Sequence, residues 1–291
     1  MKGQPLLYGL IFLMVLFWSA NYIIAKVALR EFPPLLLSGV RITVAGFVML
    51  PIYFTRQERD VKSRHEAIQL VLLGLCGVAL NQLFFVVGLS RTTVAHASVI
   101  VSAGPVLVLL IAAAIRLEKM TAAKLSGMLM AMAGIAALKI FQDSATSVHA
   151  TWFGDVFVFL STLTFALFTV FGKPLTLRHS TITVNTYAYV GGAIALAPMT
   201  IWQAAAFPIS HISFAAWMCA LYMALCPSIA AYMIYYYALT HISASRVASF
   251  SYLQPVFAIA MAVFLIGERL TPPVVAAGVG ILAGVYITER G

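Results

Sequence analysis

Residues 88–121 read GLSRTTVAHASVIVSAGPVLVLLIAAAIRLEKMT, and residues 238–271 read ALTHISASRVASFSYLQPVFAIAMAVFLIGERLT. Aligned without gaps, the two stretches share residues 150 positions apart: Leu89 with Leu239, Pro105 with Pro255, Glu118 with Glu268, and Thr121 with Thr271. Apolar matches are common by chance in a hydrophobic chain, whereas a shared Pro, Glu and Thr in one register are not. The chain is therefore an internal duplication.

The composition places this chain in a lipid bilayer. Its 291 residues are 62% hydrophobic and 9% charged, and the mean hydropathy is +0.99. Basic residues outnumber acidic ones by 18 to 9, but they lie in short pieces between apolar runs, which indicates membrane orientation rather than nucleic-acid binding. Cys76, Cys219 and Cys226 lack metal-ligand spacing. We expect no metal site and no cofactor.

Apolar runs fill nearly the whole chain. Crossing the roughly 30 Å hydrocarbon core takes about 20 apolar residues. This criterion predicts an all-α membrane protein with ten transmembrane helices, at about residues 6–29, 35–54, 67–89, 94–117, 122–141, 152–173, 183–205, 214–239, 245–266 and 273–288. The short connections leave no room for a soluble domain.

The predicted spans divide into a first half, residues 1–145, and a second half, residues 146–291, with five helices each. Because five is odd, the second half enters the membrane from the opposite side, and the two repeats are inverted. With both termini cytoplasmic, twelve basic residues lie inside and five outside, which favours that orientation. Lys26 then lies at the outer end of the first span, where its ammonium can reach the headgroups.

Several motifs recur in order along the chain. FWSANYIIAKVAL (residues 17–29) lies in the first span, LSRTTVAHAS (residues 89–98) leads into the fourth, and Pro105 with EKMT is repeated as Pro255 with ERLT. In these features the chain resembles the EamA-like permeases of the drug/metabolite transporter superfamily. The resemblance implies ten helices around a central cavity, with the fifth and tenth spans outside it. It does not supply the substrate, since members handle amino acids, other metabolites and toxic compounds.

Polar side chains within the spans are the candidates for substrate binding, because a buried polar group is costly in a membrane. Adjacent amides such as Asn81 and Gln82 cannot both face lipid without a large desolvation cost. The competing interpretation is hydrogen bonding that only holds the helices together. The predicted substrate-binding residues are Trp18, Asn21, Tyr22, Asn81, Gln82, His96, Ser98, Ser102, Tyr232, Tyr235, Arg246, Ser249, Tyr252 and Gln254.

Two pairs of residues sit at matching positions in the repeats. His96 and Arg246 start the fourth and ninth spans, so inversion sends them to opposite membrane sides, as charged groups at the cavity mouths or as simple helix-start residues. Pro105 and Pro255 each remove a backbone donor in mid-membrane and are predicted hinges, or purely structural kinks. Glu118 precedes a Thr that can cap the next helix, and we expect a structural role for it.

The sequence therefore predicts a secondary transporter of the permease class. We expect a multi-pass protein of the bacterial cytoplasmic (inner) membrane that exports small amphipathic metabolites such as amino acids by alternating access. The open alternatives are a multidrug or toxic-compound efflux permease and a metabolite channel or facilitator. The spans contain no paired acids or clustered histidines of the kind that would suggest an enzyme. The expected partners are a small-molecule substrate and the lipid bilayer, with no nucleic acid, and the chain is expected to be a monomer or a weak homodimer.

Overall fold

Helices make up all the secondary structure in the described part of the chain. The computed structural model describes residues 4–55, 60–142, 151–254, 256–257 and 272–291. In chain order, the α-helices are α1 (Gln4–Ala28), α2 (Pro34–Phe54), α3 (Arg64–Gly74), α4 (Asn81–Arg91), α5 (Val94–Val101), α6 (Gly104–Ala114), α7 (Ala122–Gln142), α8 (Trp152–Thr176), α9 (Thr181–Ala206), α10 (Phe214–Met223), α11 (Ala231–His241), α12 (Ala244–Ser249) and α13 (Pro272–Arg290).

Several helical stretches are long and apolar enough to cross a membrane. Within the described ranges there are five of them: Pro5–Ala28, Pro34–Phe54, Arg64–Arg91, Trp152–Thr176 and Phe214–His241. Two shorter apolar helices cover Val99–Ala114 and Ala122–Ala137. The described part of the chain is thus all-helical, and the protein is a multi-pass membrane protein. The finer prediction of ten spans in two inverted repeats stays a prediction.

Two of these long stretches contain a π-helical segment at matching positions. Leu75–Leu80 joins α3 to α4, and Ala224–Ala230 joins α10 to α11. The wider π turn frees backbone carbonyls that side chains from the other half then use. The Tyr232 hydroxyl donates to the Gly77 carbonyl at 3.0 Å, and Trp18 Nε1 donates to the Pro227 carbonyl at 3.1 Å. Such bulges are frequent at functional sites.

The fourth predicted span is interrupted just before its proline. The Ser102 N–H bonds to the Val99 carbonyl at 3.1 Å and the Ala103 N–H to the Ile100 carbonyl at 3.0 Å, which is the tighter 3-10 pattern. Pro105 lies in the first turn of α6, where its missing N–H costs nothing. In the second half, Phe250–Tyr252 forms a 3-10 turn at the matching position, while Pro255 lies outside the described residues. The break is observed, and hinge motion at it stays a prediction.

A lysine in each half caps the end of another helix, and we call these two contacts the lysine clasps. Lys26 Nζ donates to the carbonyls of Leu89 at 2.6 Å and Thr92 at 2.8 Å. Lys173 Nζ donates to the carbonyls of Leu239 at 3.0 Å and Ile242. The accepting residues are again 150 positions apart. An ammonium at a helix C-terminus satisfies orphan carbonyls and complements the helix dipole, so Lys26 binds protein instead of reaching for headgroups.

Carboxylates of the first half cap helices of the second half. The Glu31 carboxylate accepts hydrogen bonds from the Ser213 N–H at 2.6 Å and hydroxyl at 2.8 Å, before α10. Asp60 accepts from the Ser180 N–H, at the N-terminus of α9. Glu118 likewise accepts from the Ser245 N–H at 3.2 Å and hydroxyl at 2.5 Å, in the first turn of α12.

These carboxylates are held in their ionised form. Partial burial alone would raise the pKa of the Glu118 carboxyl, but the bonds from Ser245 and the Lys124 ammonium, 3.3 Å away, outweigh it and lower the pKa. The bonds from Ser213 lower the pKa of the Glu31 carboxyl. The expected structural role of Glu118 fits this geometry, in which its carboxylate caps α12 and also pairs with Lys124 of α7. Thr121 caps α7 by accepting from the Lys124 N–H at 3.1 Å.

The last described helices of the two halves, α7 and α13, pack closely against each other. A Cβ added to Gly127 would come within 2.6 Å of the Gly284 carbonyl oxygen, and one on Gly284 would come within 2.6 Å of the Ala131 amide nitrogen. Only glycine permits this backbone approach. Small residues of α7 and α13 therefore face each other within one chain.

Candidate functional site

A cavity lies between the two halves and is lined by residues of both. Its volume is about 110 Å³, enough for several waters or a small solute. Most of the wall is apolar, with polar groups at a few points, which is the usual character of a small-molecule site. The lining residues are Trp18, Asn21, Tyr22, Arg41, Asn81, Gln82, Phe85, Val101, Gly104, Pro105, Val108, Ser161, Thr162, Phe165, Tyr232, Tyr235, Val247, Ala248, Ser251 and Gln254.

Arg41 brings a positive charge to the cavity from within α2. It lies seven residues into the helix, about 10 Å from its start, and is 3% exposed. Its Nε donates to the Ser228 hydroxyl at 2.7 Å, and that hydroxyl donates to the Met223 carbonyl at 2.8 Å. The second bond orients the serine, so that its oxygen can accept from the guanidinium. The described residues offer no carboxylate within ion-pair distance of Arg41.

Amide side chains of the first half line the same cavity. Asn81 Nδ2 donates to the Ser161 carbonyl at 2.8 Å and to its hydroxyl at 3.0 Å, joining α4 to α8. Gln82 Nε2 donates to the Tyr189 hydroxyl at 2.8 Å. The buried oxygens Asn21 Oδ1 and Gln82 Oε1 find no hydrogen-bond partner among the described residues. A buried acceptor left unpaired is costly, and a bound ligand would relieve that cost.

Aromatic rings form one wall of the cavity. The Trp18 ring centroid lies 5.7 Å from that of Phe165 and 5.5 Å from that of Tyr235, while Phe165 and Tyr235 are 5.2 Å apart. The hydroxyls of Tyr235 and Thr169 are hydrogen-bonded at 2.6 Å, which fixes the phenol ring. Tilted and edge-on contacts at these distances stabilise the cluster and leave ring faces available for apolar or cationic groups.

The cavity gathers most of the side chains that the sequence singled out, from distant parts of the chain. Gln254 is among them and is 8% exposed; its backbone carbonyl also accepts from the Ser19 hydroxyl at 3.2 Å. The predicted residues that line the cavity are Trp18, Asn21, Tyr22, Asn81, Gln82, Pro105, Tyr232, Tyr235 and Gln254.

Other predicted residues lie away from the cavity wall. The hydroxyls of Ser102 and Ser249 donate to the carbonyls of their own turns, Val99 at 2.5 Å and Arg246 at 2.8 Å. Tyr252 is fully buried, and its hydroxyl has no partner among the described residues. The half-buried Arg246 lies in the first turn of α12, capped by Ser243. The side chains of His96 and Ser98, together with all of Pro255, fall outside the described residues.

Several residues of the wall are not among those predicted from the sequence. Arg41 is one of them, although an ionisable residue within an apolar span is itself a signal of function. Ser161 and Thr162 lie one after the other in α8, and sequence gives no reason to select them over other hydroxyls. Their inclusion depends on which face of α8 meets α4, which only packing determines.

The described residues offer no group of three or more His, Cys, Asp or Glu side chains that would hold a metal ion. Cys76, Cys219 and Cys226 are free thiols. The arrangement can bind a small solute with an acidic group, a hydrogen-bond donor and an apolar part. The described lining of the cavity includes no acid, thiol or imidazole side chain.

Comparison with known proteins agrees with this architecture. The model of the EamA-like transporter family matches residues 6–139 and again residues 152–290. A protein of Archaeoglobus fulgidus called an uncharacterized transporter is 28% identical over 279 residues, covering 96% of each chain. A probable terminal-alkyne amino-acid exporter of Streptantibioticus cattleyicolor is 25% identical, covering 100% of this chain and 95% of its own.

The fold itself has a counterpart among solved structures. One crystal structure superposes with a TM-score of 0.79 at 18% identity, covering 97% of this chain and 95% of that chain. Its identity is low enough that it bears on the fold alone. The family model, in contrast, matches nearly the whole sequence, and the named relatives are transporters, which points to a protein that is not an enzyme. The chain belongs to the EamA-like transporter family.

Proposed function

We propose that the chain is a secondary transporter that exports small amphipathic metabolites, amino acids foremost, across the cytoplasmic (inner) membrane by alternating access. The observation that carries this proposal is the cavity between the halves, which is lined by Arg41, by the amide residues Asn21 and Gln82, and by an aromatic wall. A relative named as a probable amino-acid exporter supports the choice of solute.

We also propose ten spans in two inverted repeats of five, residues 1–145 and 146–291, with both termini cytoplasmic. The two matches of the family model support two repeats. Matching π segments and lysine clasps support a common ancestor of the halves. Reporter fusions after Gly291 and within residues 56–64 should both report the cytoplasm. A signal from the opposite side at either point contradicts the orientation.

Flux measurements in proteoliposomes test the transport function. The purified protein is assayed by counterflow with radiolabelled amino acids, amines, nucleosides and a cationic dye, with and without a pH gradient. We expect saturable amino-acid uptake that is accelerated by unlabelled amino acid on the other side. Flux that does not saturate would favour a channel, and flux of the cationic dye alone would favour multidrug efflux.

A pair of variants on α1 links that flux to the cavity. Asn21→Ala removes a cavity amide and should lower amino-acid flux about tenfold, since a hydrogen bond to a charged ammonium is worth about 1.5–3 kcal/mol. Ile23→Ala, two residues on, changes a side chain that is 53% exposed and should leave flux unchanged. Equal effects of the two substitutions would remove the cavity as the transport site.

A further inference from the structure

We propose that Arg41 is the residue that selects the solute, by binding its carboxylate, while the oxygens of Asn21 and Gln82 bind its ammonium. The cavity would then accept free amino acids and discriminate against the corresponding amines and amides. This inference rests on the proposed transport function and goes beyond it, because it assigns each end of the solute to named groups.

The buried charge of Arg41 is costly within the membrane. A charged side chain inside a membrane protein persists when it is paired or serves a ligand. Arg41 is almost fully buried, yet its one hydrogen bond within the described residues is to the neutral Ser228 hydroxyl. A guanidinium has five N–H groups, so most of its donors remain for another partner. A carboxylate matches them in charge and in bidentate geometry.

The position of Ser228 adds to this argument. It lies in the π segment Ala224–Ala230, and its hydroxyl is oriented by the Met223 carbonyl. The bond from Arg41 uses Nε, at the inner edge of the guanidinium. The two terminal nitrogens are thereby left for a ligand, and the arginine is fixed in place before the ligand arrives. Preorganisation of this kind lowers the entropy cost of binding.

The protein also offers hydrogen-bond acceptors for the ammonium end of the solute. Gln82 uses its Nε2 on the Tyr189 hydroxyl, which leaves Oε1 as the free atom of that amide. Asn21 Oδ1 is buried and free as well, and both residues line the cavity. An ammonium supplies N–H donors for both oxygens. The Trp18 and Tyr235 rings in the same wall can stabilise its charge through cation–π contact.

The absence of acidic residues from the described lining explains why an amine alone should bind poorly. The described lining of the cavity contains no Asp or Glu, so a cationic drug would meet the Arg41 charge with no carboxylate to offset it. A like charge in a poorly solvated cavity is strongly repulsive. An amino acid brings its own carboxylate and cancels that repulsion. Recognition therefore depends on the acidic group of the solute.

Three matched solute sets test this assignment in proteoliposomes. The probes are L-phenylalanine, L-leucine and L-serine, each with its amide and its decarboxylated amine. For the wild type we expect at least one amino acid to be carried about tenfold or more faster than its amide and its amine. Equal transport of the acid and its amide in all three sets would overturn the inference while leaving the transport function intact.

Variants then assign the preference to one residue. Arg41→Gln should abolish the preference for the acid, and Arg41→Lys should keep part of it, since an ammonium retains the charge but loses the bidentate fork. Arg30→Gln, which changes an exposed arginine after α1, is the control and should match the wild type. An Arg41→Gln protein that still prefers the acid would overturn the inference.

A binding measurement keeps the test independent of flux. In detergent, 10 mM phenylalanine, leucine or serine should raise the unfolding temperature of the wild type, and the matching amide should not. Arg41→Gln should lose this response while remaining monodisperse. If Arg41→Gln does not fold, the comparison uses Arg41→Lys and the acid-against-amide response of the wild type. Binding of acids without any flux would contradict the proposed function and not the role of Arg41.

Discussion

The two halves bring different chemistry to the cavity. Within the described lining, the charged group, the Arg41 guanidinium, comes from the first half, while both halves supply amides and aromatic rings. Gln82 and Tyr232 both line the cavity and lie 150 positions apart, so they match in the repeat. Matching positions of a duplicated scaffold thus carry different side chains. Such differences can orient a solute that has one polar and one apolar end, which identical groups at matching positions could not do.

Away from the cavity the halves have stayed alike. The lysine clasps use the same side chain, the same pair of accepting positions and the same helix end. A helix end within a membrane has to satisfy its carbonyls whatever the solute, so these features are constrained by backbone chemistry. The features that match therefore reflect what the backbone requires, and those that differ reflect what the ligand requires.

The largest effect, a loss of folded protein, is expected for a substitution at the contact between α7 and α13. Gly284→Leu would place a side chain against the Ala131 backbone nitrogen, 2.6 Å from the added Cβ, and backbone cannot move aside cheaply. Overpacking of this kind costs about 3 kcal/mol or more. We expect a large loss of folded, monodisperse protein, measured by fluorescence-detected size-exclusion chromatography.

Gly280 is the matched control for this substitution. It lies one turn earlier on α13, and a Cβ there would meet nothing within 4 Å. Gly280→Leu should therefore leave the yield close to that of the wild type. A loss of yield in Gly280→Leu equal to that in Gly284→Leu would mean that helix propensity or lipid contact, and not the contact between halves, is responsible.

The lysine clasps should contribute equally in both halves. Lys26→Met and Lys173→Met each remove two hydrogen bonds from a charged donor and leave helix-end carbonyls unsatisfied, at a cost of about 2 kcal/mol. We expect the two unfolding temperatures, measured in detergent, to fall by similar amounts, and the double variant to show their sum. Lys119→Met, at an exposed lysine, is the control. Strongly unequal losses would contradict the equivalence of the clasps.

Glu118 links the halves through a charge that depends on pH. Its folded-state pKa lies below the ordinary value of 4.5, so its stabilising effect is complete above about pH 4.5 and is lost as the pH falls through the folded pKa. Glu118→Gln should cost about 1 kcal/mol at neutral pH, as lost helix caps do, and the difference from the wild type should shrink in acid. Unfolding temperatures followed from pH 8 down to below the folded pKa of Glu118 measure this. A difference that grows in acid would reverse the predicted sign.

Much of the scaffold could be predicted from the sequence. The helical class, the start of α2 at Pro34 and the cap at Thr121 follow from hydropathy and turn chemistry, which act locally. The prediction that Asn81 or Gln82 faces a cavity or a partner also follows from the cost of burying an amide. In the structure both residues line the cavity, and each also bonds to the second half.

Long-range pairings could not be read from the sequence. The sequence predicts that Lys26 reaches the headgroups, whereas in the structure α4 ends beside it and accepts its hydrogen bonds. In the sequence Glu31 and Asp60 are only loop charges, whereas in the structure they bind the N-termini of α10 and α9. In each case the partner is more than 60 residues away, and only helix packing decides which ends come together.

The smallest effect, on amino-acid flux, is expected for two serines that lie away from the cavity amides. Ser102 and Ser249 were predicted to bind substrate, yet each hydroxyl donates to a carbonyl three residues earlier in its own turn. A solute would have to compete with that local bond, which mid-membrane hydroxyls use to satisfy themselves. Ser102→Ala and Ser249→Ala should therefore keep amino-acid flux within about twofold of the wild type, whereas Gln82→Ala, which removes a free buried acceptor, should lower it about tenfold. Initial rates of counterflow, normalised to folded protein, give the comparison. A tenfold loss in either serine variant would extend the binding site beyond the cavity wall toward the starts of the fourth and ninth predicted spans.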